Sequence, residues 1–320
     1  MQTVLTLKRK PVRQKNKNSL WVRIRQHKLY YMLIAPGILF YIIWHYIPMF
    51  GIIIAFKDIS PYESVMGIIN SPWVGLKHFE KFFDSYYFWD VLWNTLRISF
   101  LKLIWGFPAP IMLAILLNEL KNERFKRVIQ TISYLPHFIS MVVLTGLISS
   151  VLSTNGGLVN EIVKFFGREP IFFLGDVKYF VGVLVASHVW QNVGWGTIIY
   201  LAAITGIDAE LYEAAKIDGA NRFQQMQSIT IPSIIGVAVV LLILNVGHIL
   251  SAGFEQILLL YSPSVYKVAD IIDTYIYREG LISMQYSFAS AVGLFKSIVG
   301  ALLVLGVNYL SKKIGEEGIW

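Results

Sequence analysis

Residues 29–56 contain no Asp, Glu, Lys or Arg, and this uncharged run directly follows a 28-residue segment that carries nine basic residues and no acidic one. A run of that length exceeds the ~20 apolar residues that cross ~30 Å of hydrocarbon, and it is well beyond the 7–15 residue core of a signal peptide. The sequence therefore predicts an uncleaved first membrane helix behind a basic tail. Five further apolar stretches of spanning length run over residues 91–117, 129–152, 179–205, 233–254 and 285–310. Hydrophobic residues make up 55% of the 320 and charged residues 15%, against ~25% charged in ordinary globular domains. The expectation is an all-α integral membrane protein with six transmembrane helices, the domain spanning 29–310 between a basic tail (1–28) and a short C-terminal tail (311–320).

The connections set the orientation. With the N-terminus inside, the inner segments hold 17 basic residues and the outer loops 8, an excess that rests on the tail and on the short loop with Lys121, Arg124, Lys126 and Arg127. Basic residues are retained on the cytoplasmic side, so the arrangement is N-in, C-in. A basic arm that runs straight into an apolar stretch is explained by the membrane, and no nucleic-acid partner is expected. The chain has no cysteine, which excludes disulfide scaffolds and Cys-ligated zinc or iron–sulfur sites. Its six histidines fall at spacings that no metal site requires, and no Gly-x-Ser-x-Gly or phosphate-cradling Gly-Lys-Ser/Thr motif is present. No catalytic residue or cofactor is expected in this chain.

The inner connection 206–232 is more than a loop. Asp208 can cap a helix on which Ile207, Leu211, Ala214 and Ala215 recur at 3.6-residue period, and Asp218-Gly219 stops it. A helix this short cannot span, and its small residues suit a knob that fits a groove on a cytosolic partner.

Glu213-Ala214-Ala215, with Gly219 four positions later and Ile229-Thr230-Ile231-Pro232 beyond it, resembles the EAA loop of ABC importer permeases; the departure is Ile231 where the family has Leu. The stretch around Val189-Trp190-Gln191, with Gly194, is similar to sugar-importer permeases of the maltose type. Phe254-Glu255-Gln256, the run 270–278, the run 286–297 and Lys312-Lys313 resemble a subfamily for polysaccharide fragments, nearest to permeases for pectic rhamnogalacturonan oligosaccharides. The resemblance implies a type I ABC importer fold and a heterodimer with a second homologous permease. It also implies two cytosolic ATPases that bind ATP and Mg, and a lipid-anchored solute-binding protein outside, in the cytoplasmic membrane of a bacterium. Leu211, Glu213, Ala214, Ala215, Asp218 and Gly219 would then couple to the ATPase. A secondary sugar transporter is the alternative, but it needs an acidic ion site at the midplane and all twenty acids fall outside the six stretches.

For the substrate pathway the candidates are Lys102, His188, Trp190, Gln191, Asn192, Asn245, His248 and Lys296. Asn, Gln and His bind sugar hydroxyls, and aromatic rings bind their apolar faces. The same polar residues can instead join helices through hydrogen bonds. Lys102 and Lys296 each lie eleven residues, ~16 Å, inside their stretches, where a lipid-facing lysine costs ~2.5–3.5 kcal/mol. Both should face protein or a wet passage: either they pair with a helix-end carbonyl or the second permease, or they meet acidic oligosaccharides.

Overall fold

The computed structural model describes residues 24, 25, 27–247 and 249–314, so His248 lies outside the described residues. The described residues divide between Ile53 and Ile54 into two units, each taken by itself. In the first, helix α1 (Lys28–Tyr41) buries none of its residues, and Leu29, Met32, Leu33 and Phe40 stand exposed around it. A helix that is apolar all round and unpacked is dressed for lipid rather than water.

The second unit is helical throughout. Among the described residues there is no sheet, only an isolated bridge between Lys57 and Trp73. Its long elements are α2 (Phe88–Glu119), the bent pair α3 (Glu123–Tyr134) and α4 (Met141–Val151), α5 (Phe180–Thr205), α6 (Ala209–Ile217), α7 (Ile231–Gly247), the short α8 (Phe254–Leu260) and α9 (Ile272–Tyr277), and α10 (Tyr286–Ile314). Among the described residues of the whole chain, four helices, Lys28–Phe56 included, are long and apolar enough to cross a membrane, five when the bent pair is taken as one span. The 26-residue α5 has the length, but its His188, Gln191 and Asn192 dilute its apolar character.

Two expected spans are not continuous helices. The stretch 129–152 breaks by 107° at the end of a 3₁₀ turn, Leu135–Phe138. Pro136 cannot donate to the helix ladder, and Ser140 restarts the next helix by accepting from the Val143 N–H, so the chain ends one helix and caps another within a few residues. The fifth stretch stops as a helix at Gly247 rather than at 254. After it come a 3₁₀ turn (Ile249–Ser251), then Ala252 and Gly253 at φ +47° and +79°, then α8.

Irregular backbone at membrane depth survives only where protein satisfies its polar groups. Here α2 does so with four buried residues on one face. Asn94 Nδ2 donates to the carbonyls of Lys267 and Asp270 at 3.1 Å each, and Thr95 Oγ1 accepts from the Ile272 N–H at 2.9 Å. Ser99 Oγ donates to the Ile249 carbonyl, and Lys102 Nζ donates to that of Ala252 at 2.9 Å. Ile98, Leu144, Leu184, Ile257 and Leu260 close an apolar core around the same segment.

Candidate functional site

A cleft of about 420 Å³ opens between α2, α5 and α7. Its wall brings together Lys102 and Ser99 from α2, His188, Asn192, Trp195 and Tyr200 from α5, and Asn245 from α7. His188, Asn192, Trp195 and Ile199 follow at steps of four, three and four, one face of a 3.6-period helix, which is why they line the cleft together. Trp190 and Gln191 point elsewhere on α5 and do not line it. The sequence reading missed Trp195, which the same period extended from His188 would have found.

The polar side chains of this wall are ordered by one another. Asn192 Nδ2 donates to the His188 carbonyl at 2.9 Å and lies 3.3 Å from His188 Nδ1, while Asn192 Oδ1 lies 3.3 Å from His137 Nδ1. These contacts are all satisfied when His188 Nδ1 accepts and His137 Nδ1 donates. The His137 ring stacks on Trp195 at 4.7 Å and 4°, bracing one indole face. Gly194 allows α5 to approach α3: a Cβ there would stand 2.0 Å from the Ser133 carbonyl oxygen.

Lys102 and Lys296 have different surroundings. Lys102 is buried, and its acceptors among the described residues are the Ala252 carbonyl and Gln256 Oε1, at 2.9 and 2.6 Å. Lys296 lies at a separate hollow on α10 and forms an ion pair with both oxygens of Asp273, at 2.6 Å each. Asp273 belongs to α9, in a connection that folds back against α10, so an acid from outside the apolar stretches neutralises a lysine inside one. Lys296 is thereby not brought to the cleft.

At the other candidate site, α6 forms as its sequence predicts. Asp208 caps it by accepting from the Glu210 N–H at 3.0 Å, and Gly219 follows at φ +81°, a conformation that glycine adopts freely. The inward side, however, centres on Tyr212 and Ala215, with the Tyr212 hydroxyl 2.9 Å from Thr230 Oγ1. Leu211, Glu213, Ala214, Asp218 and Gly219 are exposed, so the apolar stripe read from the sequence is turned partly outward. Leu211 is 51% exposed, Ile217 87% and Phe223 60%. Arg222 Nη1 pairs with Glu119 Oε2 at 2.6 Å, tying this segment to the end of α2.

Long apolar helices around a cleft that carries Lys102, His188, Asn192 and Asn245, with a short capped helix between two of them, have the layout of a membrane transport protein. Residues 106–316 match the family model described as binding-protein-dependent transport system inner membrane component, and the chain belongs to that family. It is 46% identical over 308 residues, 96% of this chain and 95% of the other, to the polygalacturonan/rhamnogalacturonan transport system permease protein YteP of Bacillus subtilis (strain 168). It is 42% identical to protein LplB of the same organism over the full length of both. A crystal structure of a bacterial ABC transporter involved in the import of the acidic polysaccharide alginate contains a chain that superposes with a TM-score of 0.86 at 41% identity, over 92% of this chain and 99% of that one. A chain in the crystal structure of a bacterial alginate ABC transporter in complex with an alginate pentasaccharide-bound periplasmic protein gives a TM-score of 0.87 at 39% identity, over 94% of this chain and 100% of that one. The chain is thus a multi-pass membrane permease of the ABC importer class with a type I fold, a transport component and not an enzyme.

Proposed function

We propose that this chain is one of two homologous permeases in an importer that carries acidic, pectin-type oligosaccharides across the bacterial cytoplasmic membrane, with six spans and both termini inside. The observation that carries the reading is the cleft: hydroxyl-binding groups (His188, Asn192, Asn245), a braced indole and a lysine converge between helices long enough to span. A sugar's ring faces and hydroxyls need that combination, and it suits weak, transient binding better than capture. YteP is named for polygalacturonan and rhamnogalacturonan and the superposing transporter for the acidic polysaccharide alginate, and Lys102 at the cleft fits substrates of that charge.

Coupling is assigned to the 206–232 segment. Exposed Leu211, Ala214, Ile217 and Phe223 form an apolar surface beside Glu213, stiffened by the Asp208 cap and by the Tyr212–Thr230 bond. A cytosolic ATPase seated on that surface would move the segment as one body, and the Arg222–Glu119 pair would pass the motion to α2. ATP and Mg belong to that partner, and a lipid-anchored binding protein delivers the oligosaccharide from outside.

The test is uptake of galacturonate trisaccharide by proteoliposomes containing both permeases, the ATPase and the binding protein. Uptake that stops when this chain is omitted supports the assignment, and uptake that persists without it contradicts it.

A further inference from the structure

Of the two lysines within the apolar stretches that the sequence sets equally deep, the structure cancels the charge of one and leaves the other uncancelled. Lys296 has the Asp273 carboxylate. Lys102 has two neutral oxygens, and no carboxylate of the described residues lies within 4.0 Å of its Nζ. Holding the Ala252–Gly253 turn requires a donor and no charge; a buried ammonium is an expensive way to supply one.

The surroundings of Lys102 are built to aim it. Gln256 Nε2 donates to Ser187 Oγ at 2.7 Å and to the Leu184 carbonyl at 3.3 Å, which fixes the amide so that its oxygen faces the lysine. Gly253 keeps the approach clear, since a Cβ there would stand 2.4 Å from Nζ. An ammonium has three N–H donors, of which two are used, and Lys102 lines the cleft with His188 and Asn245.

Resting on the import reading above, we infer that Lys102 is the residue that makes this passage selective for anionic sugars, its third N–H and its charge meeting the carboxylate of a uronic acid residue in transit, while Lys296 is structural. A charge-assisted N–H···O bond of this kind is short and about twice as strong as a neutral one, and the low dielectric around it enlarges the difference between a carboxylate and its ester. Gln256 is a positioning residue that orients Lys102.

The experiment compares uptake of galacturonate trisaccharide with that of its fully methyl-esterified form, each as a ratio of variant to parent so that the contribution of the binding protein cancels. In the complete reconstituted importer, Lys102→Met should lower uptake of the acid by about tenfold or more and that of the ester by less than about twofold, and Lys102→Arg should keep the preference for the acid. The double variant Lys296→Met with Asp273→Asn, which removes both members of the ion pair, should change the two substrates by the same factor. Equal losses of acid and ester in Lys102→Met, or a selective loss of the acid in the Lys296 variant, overturn the inference. If the parent carries the acid but not the ester, affinity of the solubilised permease pair for the trisaccharide decides: Lys102→Met should weaken it by about tenfold, and an unchanged value overturns the inference. If Lys102→Met fails to assemble, Lys102→Gln, which keeps donors for the turn, takes its place in both comparisons. A parent that carries neither substrate refutes the import reading itself, and is distinguished by that from a failure of Lys102 alone.

Discussion

Lys102 Nζ stands 2.6 Å from Gln256 Oε1, and through the other end of that amide the lysine on α2 is tied to Ser187 on α5. One side chain thus links three helices at a place where the backbone turns twice through positive φ. Gln256→Leu keeps the approximate volume and removes these two bonds together with the one from Nε2 to the Leu184 carbonyl. The lysine is left with Ala252 alone, and the expected loss is about 1–3 kcal/mol, read as a lower thermal midpoint of the purified protein. An unchanged midpoint would mean that the amide holds nothing.

The α6 segment should uncouple without unfolding. Gly219→Val meets no atom within 4 Å of its new Cβ, so its cost is the positive φ alone, about 1–2 kcal/mol confined to an exposed turn. Ala215→Asp places a carboxylate on the half-buried face beside Tyr212. Both variants should insert normally and lose ATP hydrolysis stimulated by the loaded binding protein. Stimulation equal to the parent's in both would remove the coupling role from this helix.

The Asp270–Arg278 pair clamps the connection between α8 and α10. Arg278 gives two N–H donors to the carboxylate, at 3.1 and 2.6 Å, and lies over the Tyr266 and Tyr275 rings; the Asp270 hydrogen bond pushes the guanidinium pKa further up, so its charge never titrates away. Asp270→Asn leaves that charge without its partner in a half-buried site, at an expected cost of about 3 kcal/mol. Protease sensitivity of residues 262–284 in intact cells should rise with it, and no change there would show that the clamp is dispensable.

The orientation is open to single-cysteine labelling, since the chain has no thiol of its own. Cysteines at the exposed positions Asn155 and Ser264 should react with a membrane-impermeant reagent in intact cells, and those at exposed Ser228 and Lys313 only after permeabilisation. Labelling of Ser228 from outside would invert the topology and remove α6 from the cytosol.

The parts of the molecule legible in the sequence are those governed by near neighbours. Asp208 and Gly219 mark the ends of α6 because a cap and a positive-φ stop are decided within a turn, and the chain shows both as expected. The break at Pro136 was open to the same reasoning, but hydropathy counts apolar length and is blind to direction. The sequence leaves Lys296 between pairing and a passage for a different reason: its partner Asp273 lies 23 residues away in a connection, and only the folding of α9 onto α10 brings them together. The same holds for the stripe Asn94, Thr95, Ser99 and Lys102, whose partners lie 150 or more positions further along the chain. Asn94, Thr95 and Ser99 carry no local signal in the sequence, and the role they share with Lys102 shows only in the irregular backbone that the four satisfy.

The most direct test of the account is the source of energy for uptake. Proteoliposomes holding the two permeases and the ATPase, with the binding protein added outside, should accumulate galacturonate trisaccharide above its external concentration when ATP is enclosed. They should accumulate none when ATP is replaced by a proton or sodium gradient. Accumulation driven by either gradient without ATP would contradict the account.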